Sequence, residues 1–340
     1  MPKGIDIIQT NNHNLFIERQ EETTMNYFSE IALISGNANR PLSEEISGIL
    51  GIPLCDTSVV RFADGEISVT IHESVRGKDV FILQPACPPA NDSLMEILIL
   101  IDALKRASAG RINVVMPYYC YARQDRKEKA RVPISSKLVA DLISVAGADR
   151  VIACDLHADQ IMGFFNIPVD RLQAMPIIAE YIMCHEYDLD NMVVVSPDVG
   201  SAKRSRALAE RLGVPLAIVD KRRPKDNVAE VMNIIGDVEG KDVIMIDDMV
   251  DTAGTIVGAA NALKTLGAEH IFVSCTHGLL SGPAVERIKN SAIDKFIMTN
   301  TIPLPEEKRL DKIEVVSIAP LLADVIKRVH TGDSVSELFN

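Results

Sequence analysis

Residues 242 to 255 read Asp242-Val-Ile-Met-Ile-Asp247-Asp248-Met-Val-Asp251-Thr252-Ala253-Gly254-Thr255, an apolar run that ends in two adjacent carboxylates and then a small, hydroxyl-bearing turn. The four apolar residues Val243 to Ile246 predict a parallel strand buried on both faces, with the acidic pair at its tip. The turn opens a helical stretch, Ile256 to Leu266. Backbone N–H groups, two hydroxyls and the positive end of a helix dipole would then meet where a phosphate could sit. The acidic pair is left to hold sugar hydroxyls or a hydrated metal ion. Acidic residues after a strand, or Thr or Asp before a helix, are ordinary capping when they occur alone. Nine fitting positions in a row, Asp247 to Thr255, say more.

Those nine positions resemble the ribose-phosphate-binding loop of the phosphoribosyltransferase superfamily. Other segments carry chemistry of a related kind. Tyr118 to Pro133 holds five basic residues, Arg123, Arg126, Lys127, Lys129 and Arg131, among polar ones in an otherwise acidic chain. It reads either as a solvated loop or as a cationic flap that closes over a polyphosphate, with Arg123 suited to bidentate contacts or stacking on a base. Asp155-Leu-His157 leaves a buried strand, and if the chain stays extended both side chains face one way, so that imidazole and carboxylate could hold a divalent ion through its waters. Ser196-Pro-Asp198-Val-Gly200-Ser201 repeats the order strand, acid, turn, helix and implies a second anion cradle. Lys221-Arg222-Arg223 follows a strand, where three cations could neutralise charge on a transferring phosphoryl group. Phe62-Ala-Asp64-Gly-Glu66, taken alone, is a hairpin turn.

These residues need a scaffold, and the composition supplies one. With 340 residues, 47% hydrophobic and 24% charged, the chain can build two well-cored domains. A net charge of -12 argues against a nucleic-acid or anionic-membrane partner, since both need a basic footprint. Six scattered cysteines without metal-ligand spacing read as free thiols of a reducing cytosol, and a cytoplasmic location is expected. The first residues make no signal peptide and no apolar stretch is long enough for an ordinary membrane span. No Gly-x-x-x-x-Gly-Lys-Ser/Thr occurs, so a nucleotide must be held by another device.

Residues 1–28 form a polar extension; after it, strands alternate with helices. Strands are expected at Ile31–Ser35, Val80–Gln84, Ile112–Met116, Val151–Cys154, Met192–Ser196, Leu216–Val219, Val243–Ile246 and Ile271–Cys275. Amphipathic segments such as Ser93–Ala107, Ser136–Ala146, Ala174–His185, Ser201–Leu212 and Thr252–Leu266 lie between them. This alternation predicts parallel sheets flanked by helices. The stretch from Asp79 through Ala103-Leu-Lys to Ile112 parallels that from Asp242 through Ala262-Leu-Lys to Ile271, so the chain reads as two copies of one α/β unit. The first copy has Gln84-Pro85 where the second has Asp247-Asp248.

Taken together, Phe62-Ala-Asp-Gly-Glu, Tyr121-Ala-Arg-Gln-Asp-Arg-Lys, Asp155-Leu-His-Ala, Ser196-Pro-Asp, Asp220-Lys-Arg-Arg-Pro, the Asp247 to Thr255 loop and Ser281-Gly-Pro-Ala resemble the ribose-phosphate pyrophosphokinase family from about Ile31 to the end. The resemblance implies two duplicated phosphoribosyltransferase-like domains, 29–172 on the ATP side and 173–340 on the ribose 5-phosphate side, with the last residues packing back on the first domain. It implies transfer of the diphosphoryl group of ATP to ribose 5-phosphate with Mg²⁺, giving 5-phosphoribosyl 1-diphosphate and AMP for nucleotide biosynthesis. Carried over by residue, Phe62, Asp64, Glu66, Arg123 and Gln124 would contact ATP; His157 and Asp198 would hold the metal. Ribose 5-phosphate would lie on Arg223, Asp247, Asp248, Asp251, Thr252, Ala253, Gly254 and Thr255, with Lys221 and Arg223 stabilising the transition state. A homo-hexamer regulated by phosphate and ADP is implied, at Ser74, Arg76, Ser108, Lys129, Arg131, Ser334 and Ser336. Asn166, where many relatives have Asp, and Ser201, in place of a second Gly, depart from the family pattern, and the extension is unmatched. Two other readings are a phosphoribosyltransferase that consumes the product and a regulatory paralogue of the synthase; the intact flap and Lys221 argue against the paralogue.

Overall fold

Apolar runs become the inner strands of two sheets in the structure, a computed structural model that describes residues 30–185, 187–198, 200–222 and 231–339. The polar extension, 1–28, lies outside the described residues. After β1 (Ile31–Ser35) and α1 (Arg40–Leu50), a hairpin of β2 (Thr57–Arg61) and β3 (Ile67–Ile71) stands apart as its own two-stranded sheet. Next come β4 (Asp79–Leu83), α2 (Ala90–Arg106), β5 (Arg111–Val115), α3 (Ser135–Ala146), β6 (Arg150–Cys154) and β7 (Val169–Leu172). They complete a parallel sheet of order β1-β4-β5-β6-β7. β4 is buried along its whole length, as a strand covered by helices on both faces must be.

The second half repeats the plan. It runs through α4 (Met175–Cys184), β8 (Met192–Ser196), α5 (Ala202–Leu212), β9 (Leu216–Arg222), β10 (Val231–Ile235) and β11 (Asp242–Val250). It ends with α6 (Gly254–Thr265), β12 (Ile271–Gly278), α7 (Ala284–Lys289), β13 (Lys295–Thr299), β14 (Ile313–Val316) and α8 (Ala319–Thr331). The strand order is β10-β9-β8-β11-β12-β13-β14, and β10 alone is antiparallel to its neighbour. Within it, β8-β11-β12-β13-β14 copies β1-β4-β5-β6-β7. The copies agree in register as well: Val80 pairs with Ile112 and Val243 with Ile271, the positions that the repeat aligns. Each copy also carries a hairpin after its first strand and helix, β2–β3 in one and β9–β10 in the other.

The last helix does not stay with the sheet that precedes it. Leu322, Val325, Ile326 and Val329 of α8 pack in one core with Leu33, Phe81 and Ile152 of the first sheet. Burying one such side chain stabilises by about 1.5–3 kcal/mol, so α8 is integral to that core. Where the sheets meet, the buried His277 of β12 sets Nε2 3.2 Å from the Cys154 carbonyl and Nδ1 2.9 Å from Thr301 Oγ1.

Two expectations need correcting. The acidic pair is not at a strand tip. β11 continues through it to Val250, with Asp247 opposite Cys275 and Met249 opposite His277 on β12, because β12 is long enough to supply ladder partners after the apolar run has ended. Asp155 and His157 do not share one face of an extended segment either. β6 ends at Cys154 and Asp155 turns to φ +35, where its Oδ2 accepts the Ala174 N–H and the Thr276 hydroxyl. Asp155 is thus a structural tie between the sheets.

Candidate active site

The β11–α6 turn floors a cavity of about 510 Å³. Its walls bring together Arg123, His157, Asp198, Ser201, Arg204 and every residue from Asp247 to Ile256. Ala253 holds φ +58, which turns the chain sharply between strand and helix, and α6 begins at Gly254 without a side-chain cap. The helix therefore starts between the two expected points, Thr252 and Ile256, with its first-turn N–H groups uncapped at the cavity. On the far side of this turn Arg287 of α7 donates 2.8 Å to the Thr252 carbonyl and fixes the loop from behind.

Opposite lies a knot of charge. Arg204, on the first turn of α5, sets Nη1 3.0 Å from Asp247 Oδ1 and 3.3 Å from Asp248 Oδ1. His157 places Nδ1 2.7 Å from Asp248 Oδ2. Burial works against the Asp248 charge, but the His157 hydrogen bond and the Arg204 guanidinium outweigh it and hold the carboxyl well below the usual range. Burial, with the neighbouring Asp248, pushes Asp247 up to about 7. The hydrogen bond to Asp248 also raises His157 above its ordinary value. One cation thus faces two adjacent acids, and each acid answers differently because Asp248 takes the imidazole as well.

Arg123 closes the cavity from the flap, with Nη1 2.8 Å from Asp251 Oδ2. Asp198 receives the Ser201 N–H on Oδ1 at 2.8 Å, so the second expected anion cradle, at the start of α5, is already occupied in part by its own carboxylate. Lys221 is on β9, which runs past Ile218, the last of its residues paired with β8, opposite Ser196, and only the backbone of Lys221 is described. Arg223 lies outside the described residues.

Comparison with known proteins agrees with this geometry. The model of the N-terminal domain of ribose phosphate pyrophosphokinase matches residues 31–147, and that of the phosphoribosyl synthetase-associated domain matches residues 221–340. The ribose-phosphate pyrophosphokinase of Caldanaerobacter subterraneus subsp. tengcongensis is 60% identical over 313 residues, covering 92% of this chain and 99% of that protein. The chain belongs to the ribose-phosphate pyrophosphokinase family. The ribose-phosphate pyrophosphokinase of Clostridium perfringens is 58% identical over 315 residues, covering 92% of this chain and 99% of that one. The crystal structure of phosphoribosylpyrophosphate synthetase from Mycobacterium smegmatis superposes with a TM-score of 0.84 at 45% identity, covering 89% of this chain and 100% of that one.

Not every residue expected of a ribose-phosphate pyrophosphokinase meets in this cavity. Asp247, Asp248, Asp251, Thr252, Ala253, Gly254, Thr255, His157, Asp198 and Arg123 do. Phe62, Asp64 and Glu66 are on the exposed β2–β3 turn, closed by Phe62 N–H to the Glu66 carbonyl, and are not in its lining. Gln124 is also outside the lining; its Oε1 accepts from the Ser135 hydroxyl at the start of α3.

The regulatory candidates are dispersed. Ser74, Arg76 and Ser108 flank one junction, where Arg76 bridges Ala109 and Ser108 holds φ +62. Lys129 and Arg131 are exposed on the flap, and the Ser334 and Ser336 hydroxyls lie 3.0 Å apart beyond α8. Asn166, which departs from the family pattern, is exposed and outside the lining, whereas Ser201 lines the cavity.

Arg204 lines the cavity beside Asp247 and Asp248 and is not among the residues expected there from the sequence. The signal was present, since two adjacent carboxylates that leave a buried strand need a nearby cation.

Proposed function

We propose that this chain transfers the diphosphoryl group of ATP to the 1-hydroxyl of ribose 5-phosphate, giving 5-phosphoribosyl 1-diphosphate and AMP for nucleotide biosynthesis. The observation that carries the reading is one cavity with two faces of opposite charge. The uncapped start of α6, with Thr252 and Thr255, suits the 5-phosphate. Asp247 and Asp248 suit the ribose hydroxyls. Arg123 stands where a polyphosphate would replace Asp251 as its partner. The sugar hydroxyl attacks the β-phosphorus and gives up its proton to water, the bond from that phosphorus to the α-phosphate oxygen breaks, and AMP leaves with that oxygen. Lys221 and Arg223 are the expected counter-charges for the moving group. Such a reaction rests on alignment and neutralisation more than on covalent help.

The donor set fits the expected Mg²⁺. His157 turns Nδ1 to Asp248, so in the neutral ring Nε2 is the nitrogen for the cavity, and Asp198, Asp247 and Asp251 add carboxylate oxygens. His157 and Asp198 would hold the ion through its waters. Among the described residues no three metal-ligating side chains converge as a cage. That suits a hard cation whose remaining ligands are water and substrate phosphate, and when bound it would neutralise phosphate charge.

Because Phe62, Asp64 and Glu66 lie outside the cavity of their own chain, this reading has them reach ATP from a neighbouring copy in a homo-hexamer. Leu138, Leu142 and Val145 support assembly, since they form an exposed apolar stripe along α3. Phosphate and ADP are the expected effectors, and a cytoplasmic location goes with the reading; no helix among the described residues is long and apolar enough to cross a membrane. A phosphoribosyltransferase would share the Asp247 to Thr255 loop but would need neither the flap nor the second copy of the fold. The deciding experiment incubates purified protein with ATP, Mg²⁺ and ribose 5-phosphate. AMP should appear in step with the sugar diphosphate, and release of ADP instead would reject the diphosphoryl transfer.

A further inference from the structure

Glu96 is a buried carboxylate that the proposed chemistry does not use. It sits on α2, 7% exposed, and its partners among the described residues are amides. Gln84 Nε2 donates to its Oε2 at 2.7 Å, the Asn37 N–H to the same oxygen at 3.2 Å, and Asn37 Nδ2 to Oε1 at 3.1 Å. Gln84 in turn accepts the Ala38 N–H on Oε1 at 3.0 Å and is fully buried. Its side chain passes so close to Gly36 that a Cβ there would collide with the amide. Gln84 occupies the position in the first copy that Asp247 occupies in the second, one residue beyond the apolar run. In the second copy that side chain lines a cavity; in the first it is locked inward.

The lock reaches outward through one side chain. Asn37 Nδ2 also lies 3.0 Å from the Val59 carbonyl on β2, three residues before Phe62. Val59, Val69 and Ile71 seat one face of the hairpin on the core, and apolar contact of that kind is non-directional. A hydrogen bond to the β2 backbone supplies direction, and Arg61 adds a second tie at 2.9 Å to Asp92, one turn of α2 before Glu96.

We propose that Glu96, Gln84 and Asn37 are positioning residues for the nucleotide: together they fix the β2–β3 hairpin so that its Phe62–Glu66 turn is presented in one orientation to ATP. The inference rests on the reading of that turn as a nucleotide contact. It requires no contact between the three residues and substrate. It also accounts for a buried acid with no cation paired to it among the described residues, since carboxylate oxygens are the acceptors that can take three N–H groups at once.

The test compares Asn37→Ala, Glu96→Gln and Phe62→Ala in the full-length protein with Mg²⁺, measuring KM for ATP, KM for ribose 5-phosphate, kcat and Tm. Glu96→Gln turns one acceptor into a donor facing other donors. Asn37→Ala removes the outer link and the Nδ2 bond to Glu96, keeps the backbone N–H bond to Glu96, and, at an exposed position, should fold; it decides the matter alone if Glu96→Gln does not. The expected result is a KM for ATP raised fivefold or more in both, with KM for ribose 5-phosphate within twofold and Tm of Asn37→Ala within a few degrees of the parent. An unchanged KM for ATP in Asn37→Ala, while Phe62→Ala raises it, overturns the positioning role and leaves the nucleotide reading intact. An unchanged KM for ATP in Phe62→Ala removes the reading and the proposal with it. A uniform loss of kcat that tracks lost folded protein makes the three residues structural only, which also overturns the proposal.

Discussion

Arg204 Nη1 stands 3.0 Å from Asp247 Oδ1, and the same guanidinium is 3.3 Å from Asp248 Oδ1. With His157 beside Asp248, this cation makes two neighbouring carboxylates tolerable within a largely buried strand. Without it, Asp247 and Asp248 would repel each other where burial already works against their charge.

Arg204→Met should therefore damage both stability and sugar binding. Removing one partner of a largely buried ion pair costs about 3–5 kcal/mol, and the partial exposure of Arg204 puts the expectation near the lower figure. KM for ribose 5-phosphate should rise at least tenfold, because protonation or displacement of the acids removes acceptors for the sugar hydroxyls. Steady-state kinetics and a urea titration check the two effects, and a variant of parental stability and KM would contradict the arrangement.

Arg123→Ala should behave differently. Its ion pair with Asp251 is about half-exposed on the Arg123 side, and such pairs contribute only about 0–1 kcal/mol. Stability should hardly change while KM for ATP increases by an order of magnitude or more. Equal loss in Tm and affinity would mean that Arg123 acts as scaffold.

Glu314 offers a test of pH dependence away from the substrates. Burial pushes its carboxyl up, but hydrogen bonds from Lys295, Tyr181 and Tyr187 outweigh this and hold it below the usual carboxylate range. A depressed folded-state pKa stabilises above the unfolded value, and that stabilisation is lost as pH falls through the folded one. Glu314→Gln should lower stability at pH 7 by about 1.5–3 kcal/mol, the worth of a hydrogen-bonded charge. The gap should narrow steadily below pH 4, and urea unfolding across that range reads it directly. A gap that stayed constant would show that the contribution is packing alone.

Mixing experiments address the shared site. Asp64→Ala and Lys221→Ala should each be nearly inactive as pure oligomers. If the turn at Asp64 serves a neighbour's cavity, co-expression should restore AMP release, since some sites then combine an intact turn with an intact Lys221. Activity no greater than the sum of the separate variants would place both residues in one chain's site.

Much of this molecule was legible because fully buried parallel strands are written as continuous apolar runs. Val80 to Leu83 and Val243 to Ile246 are such runs, and the registers Val80 with Ile112 and Val243 with Ile271 follow the repeat read from sequence. β13 and β14 were less legible. β14 is an edge strand with a largely half-exposed surface, and its four residues, β-branched though three of them are, make too short a run to stand out. The extension of β11 through Asp247 and Asp248 was hidden for a different reason, since ladder partners on β12 and not local apolarity keep those residues extended. Arg204 was obscured by its place among the basic residues of a mostly solvated helix, where only the fold reveals which cation turns inward. That the paired acids and the loop after them face one cavity was readable because backbone geometry there depends on neighbouring residues.

The return of α8 to the first sheet ties the two halves of the chain together in folding. A cut between residues 172 and 173 would not release two autonomous units: the first fragment would lack the helix whose Leu322 and Ile326 cover Leu33 and Phe81. The final helix of the second half thus covers the core of the first, and that core is complete only once the helix has docked on it.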